Sequence, residues 1–160
     1  MRTPTPWLTT LAYTCALAFT AGALSQTPAA SPISGASPVT APAATPMHAE
    51  VYLISPRSGE TVKGPVTVRF GLKGAGIAPA GVKVDNTGHH HLLVDSDLSE
   101  LKLDAPLPAT DKILHFGKGQ TETTLTLPPG RHTLQLVFAD AAHVPFDPLI
   151  ASKKITITVK

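Results

Sequence analysis

Val66-Thr67-Val68-Arg69-Phe70-Gly71-Leu72 places an apolar side chain at every second position, with polar or small residues between. Successive side chains of an extended chain point to opposite faces, so Val66, Val68, Phe70 and Leu72 share one face and commit it to a core. A helix would spread the same four around its circumference. The stretch reads as a half-buried β-strand.

The same period of two recurs on both sides of it. Upstream, Val51-Tyr52-Leu53-Ile54 is a short strand stopped by Ser55-Pro56-Arg57-Ser58-Gly59. Downstream, a Gly/Ala/Pro loop from Gly74 to Gly81 leads to a strand through Gly88-His89-His90-His91-Leu92-Leu93-Val94-Asp95 that ends near Ser96. Thr121 to Leu127 alternates again, and Pro128-Pro129-Gly130 turns the chain into Arg131 to Ala139, with His132, Leu134, Leu136 and Phe138 on one face. Lys154 to Val159 sets Ile155, Ile157 and Val159 against Thr156 and Thr158. No segment carries a 3.6-residue apolar stripe. Six or seven short strands with Gly/Pro turns in about 110 residues predict an all-β domain, an immunoglobulin-like antiparallel β-sandwich of about seven strands. Asp97 to Gln120, with Pro106 and Pro108 inside, is the one long stretch without a recognisable strand, and a loop of that length in a compact domain either carries function or hides an element.

The N-terminal third has a different character. Arg2 precedes a mostly apolar run from Trp7 to Leu24, and small residues follow at Ala21 to Ser25. That pattern predicts a secretory signal peptide over 1–25. A retained anchor is the alternative, but Thr9, Thr10, Thr14 and Thr20 interrupt the run. Cys15 lies inside the apolar stretch behind a poor lipobox, so lipidation is not expected. Residues 26–48, rich in Ala, Pro, Ser and Thr, read as a disordered linker because they offer little apolar surface to offset ordering entropy. The sandwich domain is expected over 49–160.

These assignments restrict the chemistry. Cleavage would remove Cys15, the only cysteine, and with it any disulfide, Cys nucleophile, Cys-ligated zinc or blue-copper site. The formal net charge is +2 with acids and bases interspersed, so neither nucleic acid nor, after signal cleavage, a membrane is an expected partner. No nucleophile elbow, P-loop, dinucleotide fingerprint or EF-hand loop occurs. The expected location is periplasmic or secreted.

Seven histidines are present, six of them beyond Glu50. His89 and His91 share a strand face and bring two neutral nitrogen donors together, the start of a Zn²⁺ or Cu²⁺ site. His115, before Phe116-Gly117-Lys118-Gly119, and His143, in the loop before the last strand, complete a candidate metal set of His89, His91, His115 and His143. Asp95 or Asp140 is a reserve oxygen ligand or a carboxylate orienting a ligand imidazole. His90 points the other way. If inward, it is expected to be satisfied by a backbone partner, although a one-residue register slip would invert the assignment. His132 is expected to be structural, donating to a loop carbonyl where immunoglobulin-like domains carry a corner tyrosine. His48, in the linker, is expected to do nothing.

The blocks Gly88 to Asp95, His115 to Glu122, Leu127 to Leu136, His143-Val144-Pro145 and Ser152 to Ile155 stand in an order that resembles a bacterial secreted family known only as domain of unknown function 4399. The resemblance covers essentially Glu50 to Lys160 and implies an exported β-sandwich. It implies no activity. This chain departs from the pattern at Phe146, where a second histidine often follows the His-x-Pro.

Three functions fit these features. The first is an exported, non-enzymatic module that binds Cu²⁺ or Zn²⁺ through imidazoles. The second is a metal-independent interaction or structural module with an envelope protein partner. The third is a type-2 copper metalloenzyme, with no catalytic residue assigned.

Overall fold

The computed structural model describes residues 48–160, and the expected signal peptide and nearly all of the linker lie outside the described residues. Nine strands run through the described region: β1 (Glu50–Ser55), β2 (Thr61–Val62), β3 (Val66–Lys73), β4 (Gly76–Ile77), β5 (Thr87–Val94), β6 (Ile113–His115), β7 (Glu122–Leu125), β8 (Gly130–Ala139) and β9 (Ile155–Val159). One sheet has the order β1-β3-β7, and the other has the order β2-β9-β8-β5-β4 with β6 also paired to β5. The long pairings are antiparallel. Two pairings of two residues each, β2 with β9 and β4 with β5, are parallel.

The arrangement is an immunoglobulin-like β-sandwich. Its first, second and fifth longer strands form one sheet, and the third, fourth, sixth and seventh form the other, the division of strands A-B-E against C-F-G with one further strand beside C. Seven longer strands match the expected number, and the excess comes from β2 and β4. Those two patch the sheet edges with a parallel pairing that the antiparallel expectation did not include.

The alternation read from β3 is what closes the sandwich. Val66, Val68 and Phe70 of β3, with Val51 and Leu125, meet Leu92, Val94, Leu134, Leu136, Phe138, Ile157 and Val159 of the opposite sheet in one buried cluster. Full burial of each such side chain contributes about 1.5–3 kcal/mol.

The larger sheet is also covered on its outer face. Leu93, Val137 and Ala139 pack there against Leu107, with Leu98, Leu101 and Ala151 around them. Leu107 belongs to the long Asp97–Gln120 stretch, which begins with a 3₁₀ turn at Leu98–Glu100 and contains β6. The stretch expected to be bare loop therefore straps down the outside of β5 and β8. This is why β5 is buried from Gly88 to Val94 on both faces.

Candidate metal centre

Four imidazoles collect on the outer face of the larger sheet. His89 and His91 stand two residues apart on β5 and are both fully buried (0% exposed). His115 lies directly across from His91 in the β5–β6 ladder. Directly opposed residues in an antiparallel pair have Cβ atoms about 4.5–5.5 Å apart, so the pairing alone brings these two rings together. His143 comes from the turn after β8, whose last residue, Ala139, is opposite His89. The turn thus starts beside the ring it must reach.

That turn is tightly built. Asp140 Oδ1 accepts hydrogen bonds from the amides of Ala142 (2.8 Å) and Val144 (2.9 Å), and the His143 amide donates to the Asp140 carbonyl (3.0 Å). His143 itself is left-handed, with φ +69°. A non-glycine residue in that region carries strain of about 1–3 kcal/mol, kept only where surrounding contacts fix it. The fixing contact is the strap, because the Leu107 amide donates to the His143 carbonyl (2.9 Å).

The resulting cluster is close-set. Ring centres are 5.0 Å apart for His89–His91, His89–His115, His89–His143 and His91–His115, 4.7 Å for His115–His143 and 6.0 Å for His91–His143. One nitrogen from each of His89, His115 and His143 falls within 4.8 Å of the other two. His91 Nε2 and His89 Nε2 are 3.1 Å apart. The buried Nδ1 atoms of His89 and His91 have no hydrogen-bond partner among the described residues. His89 and His91 form a buried floor, while His115 and His143 reach solvent at the rim.

The electrostatics favour the neutral form of His89, His91 and His115. Burial, with the neighbouring His115 and His143 adding to it and Asp140 opposing, pushes His89 down to about 4. Burial first, then the surrounding imidazoles, push His91 down to about 3. His115 is lowered by burial and by His143. A neutral imidazole exposes a nitrogen lone pair, the form that ligates a metal.

The sequence-identified residues thus separate into three places. His89, His91, His115 and His143 are brought together. Asp140 shapes the turn that carries His143 and acts on His89 by charge, but among the described residues it accepts no hydrogen bond from a cluster imidazole, so the orienting bond considered for it is not there. Asp95 is not in the cluster. It sits at the other end of β5, accepting from His132 Nδ1 (2.7 Å) and from the Thr133 amide (2.8 Å). His132 also donates from Nε2 to the Pro128 carbonyl (2.9 Å), as expected for a corner residue.

His90 requires a correction. It points inward, with its ring 5.2 Å from Phe70 and 5.4 Å from Phe138, but neither ring nitrogen meets a hydrogen-bond partner among the described residues. The expected backbone partner is missing among the described residues because the ring points off the sheet into the core, where Phe70 and Phe138 offer no acceptor. Phe146, where a second histidine was noted as frequent, stacks on Phe138 at 5.7 Å and packs against the core. The four-ring cluster forms without it. His48 is exposed at the start of the described region.

Two features of the site were only partly readable in sequence. Gly117, two residues after His115, shows why a glycine stands there: a Cβ would lie 2.2 Å from His115 Cε1 and 2.3 Å from Nε2. β6 was missed because Ile113-Leu114-His115 is only three residues long and sets two apolar residues side by side, so it shows no period of two.

The model of the family described as Domain of unknown function (DUF4399) matches residues 68–160. No curated protein matches the chain. Among solved structures, the chain is similar to the endo-beta-1,4-mannanase from Thermotoga petrophila at 17% identity and a TM-score of 0.42, over 73% of this chain and 21% of that one. It therefore spans about a fifth of the mannanase chain it matches. It is also similar to the fibronectin(III)-like modules of Clostridium thermocellum CbhA at 13% identity and a TM-score of 0.35, over 68% of this chain and 92% of that one. At those scores neither likeness bears on function.

Proposed function

The chain belongs to the DUF4399 family, described as a domain of unknown function, and we propose that this member is an exported, non-enzymatic module that binds a Zn²⁺ or Cu²⁺ ion through His89, His91, His115 and His143. The observation that carries the reading is the mutual approach of four imidazoles from three separate segments, at 4.7–6.0 Å between ring centres. Hydrogen bonding alone does not account for it. A buried polar group normally finds a partner, yet the Nδ1 atoms of the two floor rings meet none among the described residues.

The donor chemistry supports the same class of ion. Nitrogen ligands suit Zn²⁺ and Cu²⁺, whereas Ca²⁺ and Mg²⁺ need oxygen. The 3.1 Å between His89 Nε2 and His91 Nε2 is close to the edge of a coordination shell with bonds of about 2.0–2.1 Å. A buried floor and a solvent-reaching rim describe a site that loads from outside. The apolar run from Trp7 to Leu24 behind Arg2 supports export, which would put loading in the periplasm or beyond.

The test is a titration of Zn²⁺ or Cu²⁺ into the metal-free full chain, repeated with His89→Ala/His91→Ala. One ion per chain is expected, with affinity reduced at least about 100-fold in the double variant as two of four bonds are lost. Equal affinity in both proteins would dismiss the reading.

A further inference from the structure

We infer that the four-imidazole cluster is shaped for Zn²⁺ in a closed tetrahedral shell and not for the tetragonal shell that Cu²⁺ prefers. The inference rests on the ion-binding reading above and extends it to which ion the site is built for. What decides it is the set of six distances between ring centres.

Four donors at the corners of a square have two diagonals about 1.4 times as long as the edges, and square or tetragonal nitrogen shells are the mark of Cu²⁺. The cluster contains no such pair of diagonals. Four rings can be divided into opposite couples in three ways. Pairing His89 with His91 leaves His115 with His143, at 5.0 and 4.7 Å. Pairing His89 with His143 leaves His91 with His115, at 5.0 and 5.0 Å. Pairing His89 with His115 leaves His91 with His143, at 5.0 and 6.0 Å. Only one distance is long, and its opposite is short.

A tetrahedron has six equal edges. With metal–nitrogen bonds of about 2.0–2.1 Å and a ring centre about 1.1 Å beyond each nitrogen, ring centres around a tetrahedral ion stand about 5.2 Å apart. A square shell with the same bonds gives about 4.5 Å between neighbours and about 6.4 Å across. The observed 4.7–6.0 Å, with four of six values at 5.0 Å, falls around the tetrahedral figure.

The chemistry of the donors narrows the choice among tetrahedral ions. Cu⁺ is selected by thiolate and thioether sulfur, and the four ring donors include neither. Among the described residues no carboxylate groups with the ring donors, and Asp140 spends its Oδ1 on the Ala142 and Val144 amides. Four protein nitrogens fill a tetrahedral Zn²⁺, the closed arrangement of non-catalytic sites, as opposed to three ligands and a water.

Co²⁺ takes the same geometry as Zn²⁺ and reports it by colour, intense when tetrahedral and faint when six-coordinate. The full chain is loaded with one equivalent of Co²⁺ for its visible spectrum and of Zn²⁺ for X-ray absorption. Intense d–d bands and four nitrogens at about 2.0 Å are expected. His91→Ala is expected to lower Zn²⁺ affinity at least about tenfold and to put an oxygen donor in place of the lost ring. A faint Co²⁺ spectrum, a six-coordinate Zn²⁺, or an oxygen already in the wild-type shell would overturn the inference. So would Cu²⁺ binding in a tetragonal site while Zn²⁺ fails to bind, which would leave the ion-binding reading standing. If none of the three ions binds stoichiometrically, that reading falls, and the tetrahedral inference with it.

Discussion

Gly117 is held in place by the ring that lies over it. A Cβ at this position would overlap the His115 imidazole and would stand 3.0 Å from Ala80 Cβ. Its φ is outside the left-handed region, so alanine fits the backbone and the clash falls chiefly on the ring, with Ala80 crowded as well. Gly117→Ala is expected to weaken Zn²⁺ binding at least about tenfold with the sheet content of the metal-free protein unchanged, measured by calorimetric titration beside circular dichroism. Undiminished affinity would mean that His115 does not need that place. His90 presents the opposite case, a polar ring with no partner for either nitrogen among the described residues. An unpaired buried donor or acceptor costs about 1–3 kcal/mol, so His90→Leu is expected to raise stability by roughly that amount in urea denaturation. A large loss would show that the ring has a partner. Its inward direction was open in the sequence, since three successive histidines give no hint of which face is apolar. Phe70 and Phe138, which decide it, come from β3 and β8.

At the scale of elements, legibility followed length and one-sidedness. β3 and β9 present one apolar face each, and their alternation located them within a residue or two. β8 was found by the same signal, although its second face is buried as well. Two-residue β2 and β4 carry no period to read, because they exist only as edge pairings to β9 and β5. The Asp97–Gln120 strap was recognised as unusual but not as cover. Nothing local marks Leu107 as a core residue, and its burial depends on Leu93, Val137 and Ala139 across the sheet. The candidate site followed the same division. His89 and His91 announce a shared face by spacing, whereas the meeting with His115 depends on the β5–β6 register and that with His143 on a strained turn. Asp95 looked adjacent to the histidines in sequence, but an eight-residue strand carries it away to His132.

For the whole molecule, the histidines set two opposing pH dependences. In the fold His89 and His90 sit at about 4 and His91 at about 3, against 6.5 in an unfolded chain. Burial is the main cause in each. Between those values the unfolded chain takes up protons that the fold refuses, so stability falls as pH drops from 6.5 toward 3–4 and levels off below. His132 works in the other direction. Its hydrogen bond to Asp95 raises it, burial opposes, and the Pro128 carbonyl and the Asp95 charge add to the rise. Its contribution is complete below 6.5 and is lost as pH climbs through the raised value. Unfolding free energies from urea titrations are therefore expected to be highest near neutrality and to decline on the acid side by on the order of a few kcal/mol. A flat profile between pH 4 and 6.5 would show that the three ring systems are solvated.

The positions of the four rings along the chain carry one last consequence. From Glu50 onward there is no cysteine, so no covalent bridge can tie one part of the domain to another. An ion held by β5, β6 and the turn after β8 would bolt together three stretches that lie far apart along the backbone. It would be a removable rivet, one that a chelator could draw out and that would leave the strap between β5 and β6 open to proteases.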